Sequence, residues 1–269
     1  MGSNTSNVLV AFLTIVTLVA LTGYQVTSET SAVRLLGRLG GALIEVDRWL
    51  PAHRDDLELL ARDRPDQPLV LADLPMEVAI PASAALNAPA PVLEATITEA
   101  MGHKLYDEGY TAIQDEQGES HLGITEPLRW AIDGLDSSAH GFWRLAVVVT
   151  GLALLAISLA HFWTRQSPLP GLAVGSALAT LGALIVWLAV QTLGASLNGA
   201  IDEEIARVAT DGIWIGLRNS VAATAIALGG LYVHNTLFGT RREEDWGQWD
   251  DFDNDTYEPD AEVREAPPY

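Results

Sequence analysis

The stretch that decides the fold reads WRLAVVVTGLALLAISLAHFW and runs from Trp143 to Trp163. It carries no ionisable side chain between Arg144 and His161. Its two terminal tryptophans are twenty residues apart, and a helix that rises about 1.5 Å per residue places their indoles about 30 Å apart. This distance matches the hydrocarbon thickness of a bilayer, and tryptophan prefers the two membrane–water interfaces. The stretch therefore predicts a transmembrane helix.

Three more stretches are similarly long and apolar, and together they predict an α-helical membrane protein with four transmembrane helices. A small α+β domain on the extracytoplasmic side of the cell membrane and a disordered acidic tail complete the predicted architecture. The segments are an N-terminal leader (1–7), transmembrane helices at 8–26, 142–163, 171–193 and 219–238, the extracytoplasmic domain (27–141), a short cytoplasmic loop (164–170), an extracytoplasmic loop with an amphipathic helix (194–218) and the tail (239–269).

Basic residues in the short loops predict the orientation of the chain. Arg165 lies between the second and third spans, and Arg241 and Arg242 follow the fourth. Because basic residues in short loops favour the cytoplasmic side, both chain termini are predicted to be cytoplasmic. We interpret the first span as a retained anchor, since residues 1–7 lack the basic residues that begin a signal peptide; a cleaved signal peptide is the alternative.

The composition excludes several functional classes. The chain has 269 residues, with 15 basic against 35 acidic side chains, a formal charge of −20 and no cysteine. Without cysteine the chain can form no disulfide, thiolate nucleophile, iron–sulfur cluster or cysteine-ligated zinc site. So negative a chain also argues against nucleic acid as a partner. One lysine, Lys104, against fourteen arginines is typical of a prokaryotic composition.

The domain at 27–141 carries eight basic and twenty acidic residues, a net charge of −12. An apolar stripe that repeats every three or four residues from Ala32 to Leu50 predicts its first helix, and Pro51 is expected to end that helix. The stripe is either a short coiled-coil seam or the packing face of the domain itself. Residues 76–80 alternate their large apolar side chains, which predicts a short strand.

Three further elements are predicted in the second half of this domain. A helix is predicted from Pro91, which suits a first helical turn, to Gly109, which suits the left-handed residue that follows a helix. Residues 110–114 and 121–124, joined by an acidic turn, predict a β-hairpin. Thr125 and Pro127 then suit the start of a helix that runs toward the second span.

The loop at 194–218 is predicted to contain a short amphipathic helix with Leu197, Ile201, Ile205 and Val208 on its apolar face. The helix either rests on the membrane interface or caps the extracytoplasmic domain.

Two sets of side chains are candidate ligands. His161 and His234 lie near the same end of different spans and form a candidate haem site; the alternative is two interfacial imidazoles. His103 and Asp107 have the i, i+4 spacing that places two ligands on one helix face, and His121 would complete a metal site; the alternative is solvated surface residues. The sequence contains no recognised catalytic motif, and no cofactor is predicted.

Spans three and four are rich in small residues, which permit close approach between membrane helices. This pattern predicts either packing within the bundle or assembly with further copies or with another protein. The candidate helix-packing positions are Gly171, Gly175, Ala179, Ala183, Gly229 and Gly230.

Acidic and aromatic residues alternate in the tail, where eleven acidic residues accompany three basic ones from Arg241 onward. This composition predicts disorder. The embedded rings are typical of a linear motif that docks on a basic cytoplasmic protein, and the alternative is rings that lean on the membrane edge. The candidate docking residues are Trp246, Trp249, Phe252 and Tyr257.

These patterns predict a multi-pass membrane protein that senses, binds or scaffolds without catalysing a reaction. Its external domain and its partner-docking tail lie on opposite sides of the lipid bilayer. An accessory subunit of a transporter or channel is the first alternative. A haem- or metal-binding membrane redox protein is the second.

Overall fold

The computed structural model describes residues 3–71, 74–113, 126–164, 166–194 and 200–238. Most of these residues are helical, and they include one two-stranded antiparallel sheet. In chain order the elements are helix α1 (Ser3–Val26), α2 (Glu29–Ile44), α3 (Val46–Asp63), strand β1 (Pro68–Leu71), β2 (Val78–Pro81), α4 (Ala82–Asn87), α5 (Ala90–Glu108), a 3₁₀ helix (Gly109–Ile113), α6 (Glu126–Asp133), α7 (Ser137–Trp163), α8 (Leu169–Gly194) and α9 (Ala200–Phe238).

Three helices are long and apolar enough to cross a membrane: the Thr5–Val26 part of α1, the whole of α7 and the whole of α8. On α7, Leu145, Leu152 and Leu159 are 58–63% exposed. Leucine side chains that point outward along such a helix suit contact with lipid. The fourth predicted span, at 219–238, forms the C-terminal half of α9, and its crossing of the membrane stays a prediction.

The four long helices form a bundle in which α1 contacts each of the other three. At the end of the bundle next to α2, the Asn219 amide donates to Gln25 Oε1 at 2.9 Å. At the opposite end, hereafter the far end, Ser6 Oγ lies 2.7 Å from His161 Nε2. The chain therefore runs through the bundle in alternating directions, and both ends of the described chain lie at the far end.

Two glycines bring α8 close to α1. A Cβ atom on Gly171 would lie 2.8 Å from the carbonyl oxygen of Asn7, and one on Gly175 would lie 2.5 Å from that of Ala11. Both distances are shorter than van der Waals contact, so only glycine permits this helix separation. Between membrane helices such close packing replaces the hydrophobic drive that water supplies to soluble proteins.

Helices α2 to α6 and the sheet form a compact unit next to the bundle, which we call the module. Within the module, α2 and α5 contact each other most extensively, and they cross at glycines. A Cβ atom on Gly102 would overlap the carbonyl oxygen of Val33, and one on Gly37 would overlap that of Thr98. The fully buried side chains of the module core include Leu36, Leu39, Met76, Ile80, Leu93, Ile97, Met101 and Leu105.

The first module helix is not the one predicted from the apolar stripe. Glu45 adopts a left-handed conformation (φ 52°), which ends α2, and its carbonyl oxygen accepts the first hydrogen bonds of α3. The expectation that Pro51 ends the helix is therefore wrong, because Pro51 lies inside α3. The stripe itself from Ala32 to Leu50 packs into the module core, which favours its interpretation as the packing face of the domain.

The strand prediction at 76–80 is confirmed in part, since β2 begins at Val78 and pairs with β1, which the sequence did not reveal. The helix predicted from Pro91 to Gly109 is confirmed by α5, and Gly109 has the expected positive φ of 62°. The predicted first hairpin strand at 110–114 is wrong, because residues 109–113 form a 3₁₀ helix. Residues 114–125, which contain the second hairpin strand, lie outside the described residues.

Two predicted boundaries near the bundle also differ from the structure. The helix expected to run from 125 toward the second span ends at Asp133, and α7 begins anew where Asp136 caps it by accepting from the Ala139 backbone at 2.8 Å. The loop predicted at 194–218 is helical from Ala200 onward, because α9 continues unbroken to Phe238. Within α9, Val208 is buried and Ile205 packs against the module core, so this segment caps the module.

The glycine crossing gives a stability prediction. Gly102→Ala is expected to lower the free energy of unfolding by about 1 to 3 kcal/mol, because the new methyl group forces backbone of α2 and α5 apart. Thermal unfolding of the purified full chain measures this loss of stability. The control is Gly141→Ala, whose Cβ meets nothing within 4 Å and which is expected to be neutral or stabilising by up to about 1 kcal/mol. Equal stability of Gly102→Ala and the wild type would contradict the described crossing.

Candidate functional site

His161 is buried at the far end of the bundle, and both of its ring nitrogens make hydrogen bonds. Nδ1 lies 2.8 Å from the carbonyl oxygen of Ile157, and Nε2 lies 2.7 Å from Ser6 Oγ. Because a carbonyl only accepts, Nδ1 carries the proton, and in the neutral ring Nε2 accepts from the Ser6 hydroxyl. This ring therefore ties α7 to α1.

His234, the other candidate haem ligand, lies on α9 and lines a groove of about 840 Å³ at the far end of the bundle. Phe162, Trp163 and Leu169 also line this groove, whereas His161 does not. Iron ligation by His161 would require its Nε2 to give up the hydrogen bond to Ser6, since one lone pair cannot serve both. Among the described residues, the geometry does not present the two imidazoles as a prepared haem site.

The first two members of the candidate metal set, His103 and Asp107, are both exposed on α5. His103 Nδ1 lies 3.9 Å from Glu29 Oε1. In the part of the chain that the structure describes, no three histidine or carboxylate side chains are grouped to hold a metal ion. His121 lies outside the described residues, so the complete set stays a prediction.

Tyr106 lies one helical turn after His103 on α5. Burial raises the pKa of the Tyr106 phenol above its ordinary value, and the carboxylates of Glu29, Asp107 and Asp136 raise it further. The phenol therefore stays protonated at neutral pH.

Gly171 and Gly175 pack against α1. The other four predicted helix-packing residues differ in how closely they contact neighbouring helices. Ala179 and Ala183 are half-buried. A Cβ atom on Gly230 would lie 3.3 Å from Leu169 Cδ2, whereas one on Gly229 would meet nothing within 4 Å. Gly229 therefore lies on the outside of the described bundle, and assembly through this surface stays a prediction.

The candidate docking residues of the tail lie outside the described residues. These are Trp246, Trp249, Phe252 and Tyr257.

The strongest polar contact between the module and α9 centres on Arg38. Its Nε lies 2.7 Å from Glu204 Oε1, and its Nη1 donates to Asp211 Oδ2 at 2.8 Å. The Nε contact is an ion pair without the alignment of a hydrogen bond. The Glu204 side chain is only 11% exposed, whereas Arg38 is 38% exposed. One guanidinium on α2 therefore holds two carboxylates that are two turns apart on α9.

Arg207 extends this cluster along α9. Its guanidinium pairs with Glu203 and lies 3.4 Å from Glu204 Oε2. The buried Glu204 carboxylate is thus shared between Arg207 on its own helix and Arg38 on the module. Because Glu204 is largely removed from water, its charge depends on these two partners for stabilisation. We call Arg38, Glu203, Glu204, Arg207 and Asp211 the junction cluster.

Three clefts surround the junction cluster, with volumes of about 690, 550 and 410 Å³. The first lies between the module and α9, the second between α2 and α5, and the third beside the C-terminal end of α8. Arg38 is the one described residue that lines all three. A molecule in any of these clefts would contact the group that joins the module to α9.

The sequence alone does not reveal the junction cluster, although it contains one signal. Glu204 and Asp211 are seven residues apart, which places them on one face of a helix. They flank Val208, which lies on the apolar face of the predicted amphipathic segment. That arrangement marks a helix face that is both buried and charged, but it does not reveal that Arg38 is the partner.

The fold, with its three apolar helices, is compatible with a multi-pass helical membrane protein. No protein-family model, curated protein or solved structure matches this chain.

The junction cluster gives a second stability prediction. Arg38→Gln is expected to lower the free energy of unfolding by about 1 to 3 kcal/mol, because it leaves the buried Glu204 carboxylate with Arg207 alone. The control is Arg48→Gln, which breaks the ion pair to Glu45 between two exposed side chains and is expected to cost no more than about 0.5 kcal/mol. Chemical denaturation of both variants measures the difference, and equal losses would refute a special role for the cluster.

Proposed function

We propose that this chain is a four-span membrane protein whose module binds a solute or protein on the extracytoplasmic side and passes the bound state through α9. The cytoplasmic tail would then engage a basic partner. The supporting observation is the position of α9, which contacts α2 of the module as well as α1 and α8 of the bundle. No catalytic step is part of this proposal.

The length and continuity of α9 support the transmission of the bound state from the module to the far end of the bundle. An α-helix of 39 residues is about 58 Å long, which exceeds the thickness of the hydrocarbon core. Its N-terminal part can therefore stand outside the bilayer while its C-terminal part crosses it. Because the helix is unbroken, a shift at the junction cluster moves the far end of α9 as well.

The clefts around Arg38 provide a physical means of producing such a shift. An occupant that pairs with Arg38, Glu204 or Asp211 competes with the ion pairs between α2 and α9. Binding energy at the module is then converted into a changed position of α9. Coupling of this kind needs only that the occupant binds one position of α9 more tightly than the other.

The experiment uses single cysteines in this naturally cysteine-free chain. Asp63→Cys places a thiol on the module surface, and Ser167→Cys places one in the far-end groove that His234 of α9 also lines. In intact cells a membrane-impermeant maleimide is expected to label Asp63→Cys at once. It should label Ser167→Cys only after permeabilisation, because the proposal puts the far end in the cytoplasm.

The same thiol tests transmission. In permeabilised membranes, Arg38→Gln is expected to change the labelling rate of Ser167→Cys about fivefold or more, and the matched Arg48→Gln is expected to leave it unchanged. If Arg38→Gln destabilises the module but the rate at the far end stays the same, α9 does not transmit and the proposal fails.

A further inference from the structure

The far-end groove is formed by the last turn of α7, the turn that follows it, the start of α8 and α9. It is lined mostly by apolar side chains, with Gln166, Ser167 and His234 as its polar members. Phe162 is 82% exposed and Trp163 is 90% exposed. Two aromatic rings beside a groove of about 840 Å³ leave room for further rings between them.

The tail begins where this groove lies. His234 lines the groove four residues before α9 ends at Phe238. Trp246 follows only eight residues later. Eight extended residues reach up to about 28 Å, and a flexible chain of that length has a mean end-to-end distance of about 16 Å. The tail rings are therefore within reach of the groove.

The spacing of the tail rings suits a single contact surface. Trp246, Trp249 and Phe252 follow one another at intervals of three residues. In a helical turn this spacing places all three rings on one face, with the intervening acidic residues elsewhere. Such a face is able to enter an apolar groove in the manner of helix-in-groove recognition.

Charge also favours this site over the surrounding membrane. The sequence between α7 and α8 carries Arg165 and no acidic residue. The tail carries eleven acidic residues, which anionic headgroups of the cytoplasmic leaflet repel. The sequence that joins α7 to α8 is thus basic, which suits an acidic segment with aromatic rings.

We infer that the tail segment 244–257 docks in the far-end groove of its own chain, with Trp246 and Trp249 inserted between Phe162, Trp163 and Leu169. The inference rests on the proposed four-span arrangement, which places the tail and the groove on the same side of the membrane. A short flexible linker gives an effective concentration of about 1 mM. A contact with an intrinsic dissociation constant of about 1 mM is then occupied about half of the time, without help from any partner.

Self-docking would regulate the partner binding assigned to the tail. The rings that would engage a basic protein are covered while they lie in the groove, so a partner must compete with the groove for them. Movement of α9 displaces His234 relative to Phe162 and Trp163, which changes the groove. A signal at the junction cluster would therefore release or retain the tail.

The test is an intramolecular disulfide in the full chain, reconstituted in lipid nanodiscs. Ser167→Cys in the groove is combined with Gln248→Cys between the two tail tryptophans, and mild oxidation is followed over time. We expect a cross-linked monomer. The additional changes Trp246→Ala and Trp249→Ala are expected to slow its formation at least about tenfold, whereas Tyr269→Ala, an aromatic change outside the segment, should leave the rate unchanged.

A second pair controls for random encounters. Ser138→Cys lies at the opposite end of α7, so its combination with Gln248→Cys should give no cross-linked monomer. Cross-linking that the two tryptophan changes leave unaffected overturns the inference, as does a product formed only between copies. Maleimide labelling of Ser167→Cys and Gln248→Cys from opposite sides would refute the four-span proposal. Same-side labelling without a cross-link refutes self-docking alone.

Discussion

Helix α9 runs without a break from the module to the far end of the bundle. The arrangement of the module relative to the bundle depends on that continuity. In lipid, backbone groups must find hydrogen bonds within the chain, which an unbroken helix provides. The same helix then meets α2 outside the apolar region, where Arg38 holds Glu204 and Asp211. These ion pairs join the module to the same continuous helix that packs in the bundle.

The module and the bundle use similar contacts between helices, but different driving forces stabilise them. In the module, the glycine crossing of α2 and α5 lies among fully buried leucine, isoleucine and methionine side chains, and burial of these groups from water stabilises it. In a bilayer, where the proposal places the bundle, lipid is as apolar as leucine, so burial would contribute little. There the close approach at Gly175 and hydrogen bonds between helices would be the stabilising interactions, as in the 3.2 Å contact of Thr180 and Thr224.

Local signals in the sequence were sufficient for some elements of the fold. The helix α5 was predictable because Pro91 and Gly109 mark its ends and its apolar residues keep one period. The three apolar helices were predictable because lipid contact demands length and hydropathy, both of which the sequence displays.

Other features depend on contacts that no local pattern encodes. The break at Glu45 has neither glycine nor proline to mark it, and the apolar stripe continues across it. The 3₁₀ helix at 109–113 has the apolar and aromatic residues of a strand, and it packs against α5 and α6. The junction cluster joins Arg38 to Asp211 across 173 residues, so its existence follows only from the folded arrangement.

The most direct measurement is the distance between nitroxide labels on Glu203→Cys and Thr236→Cys, both exposed on α9, by double electron–electron resonance in nanodiscs. The labelled positions are 33 residues apart, so an unbroken helix predicts one narrow distribution near 50 Å. A broad distribution, or one centred well below about 50 Å, would mean that α9 bends or breaks between the module and the far end and would contradict transmission through this helix.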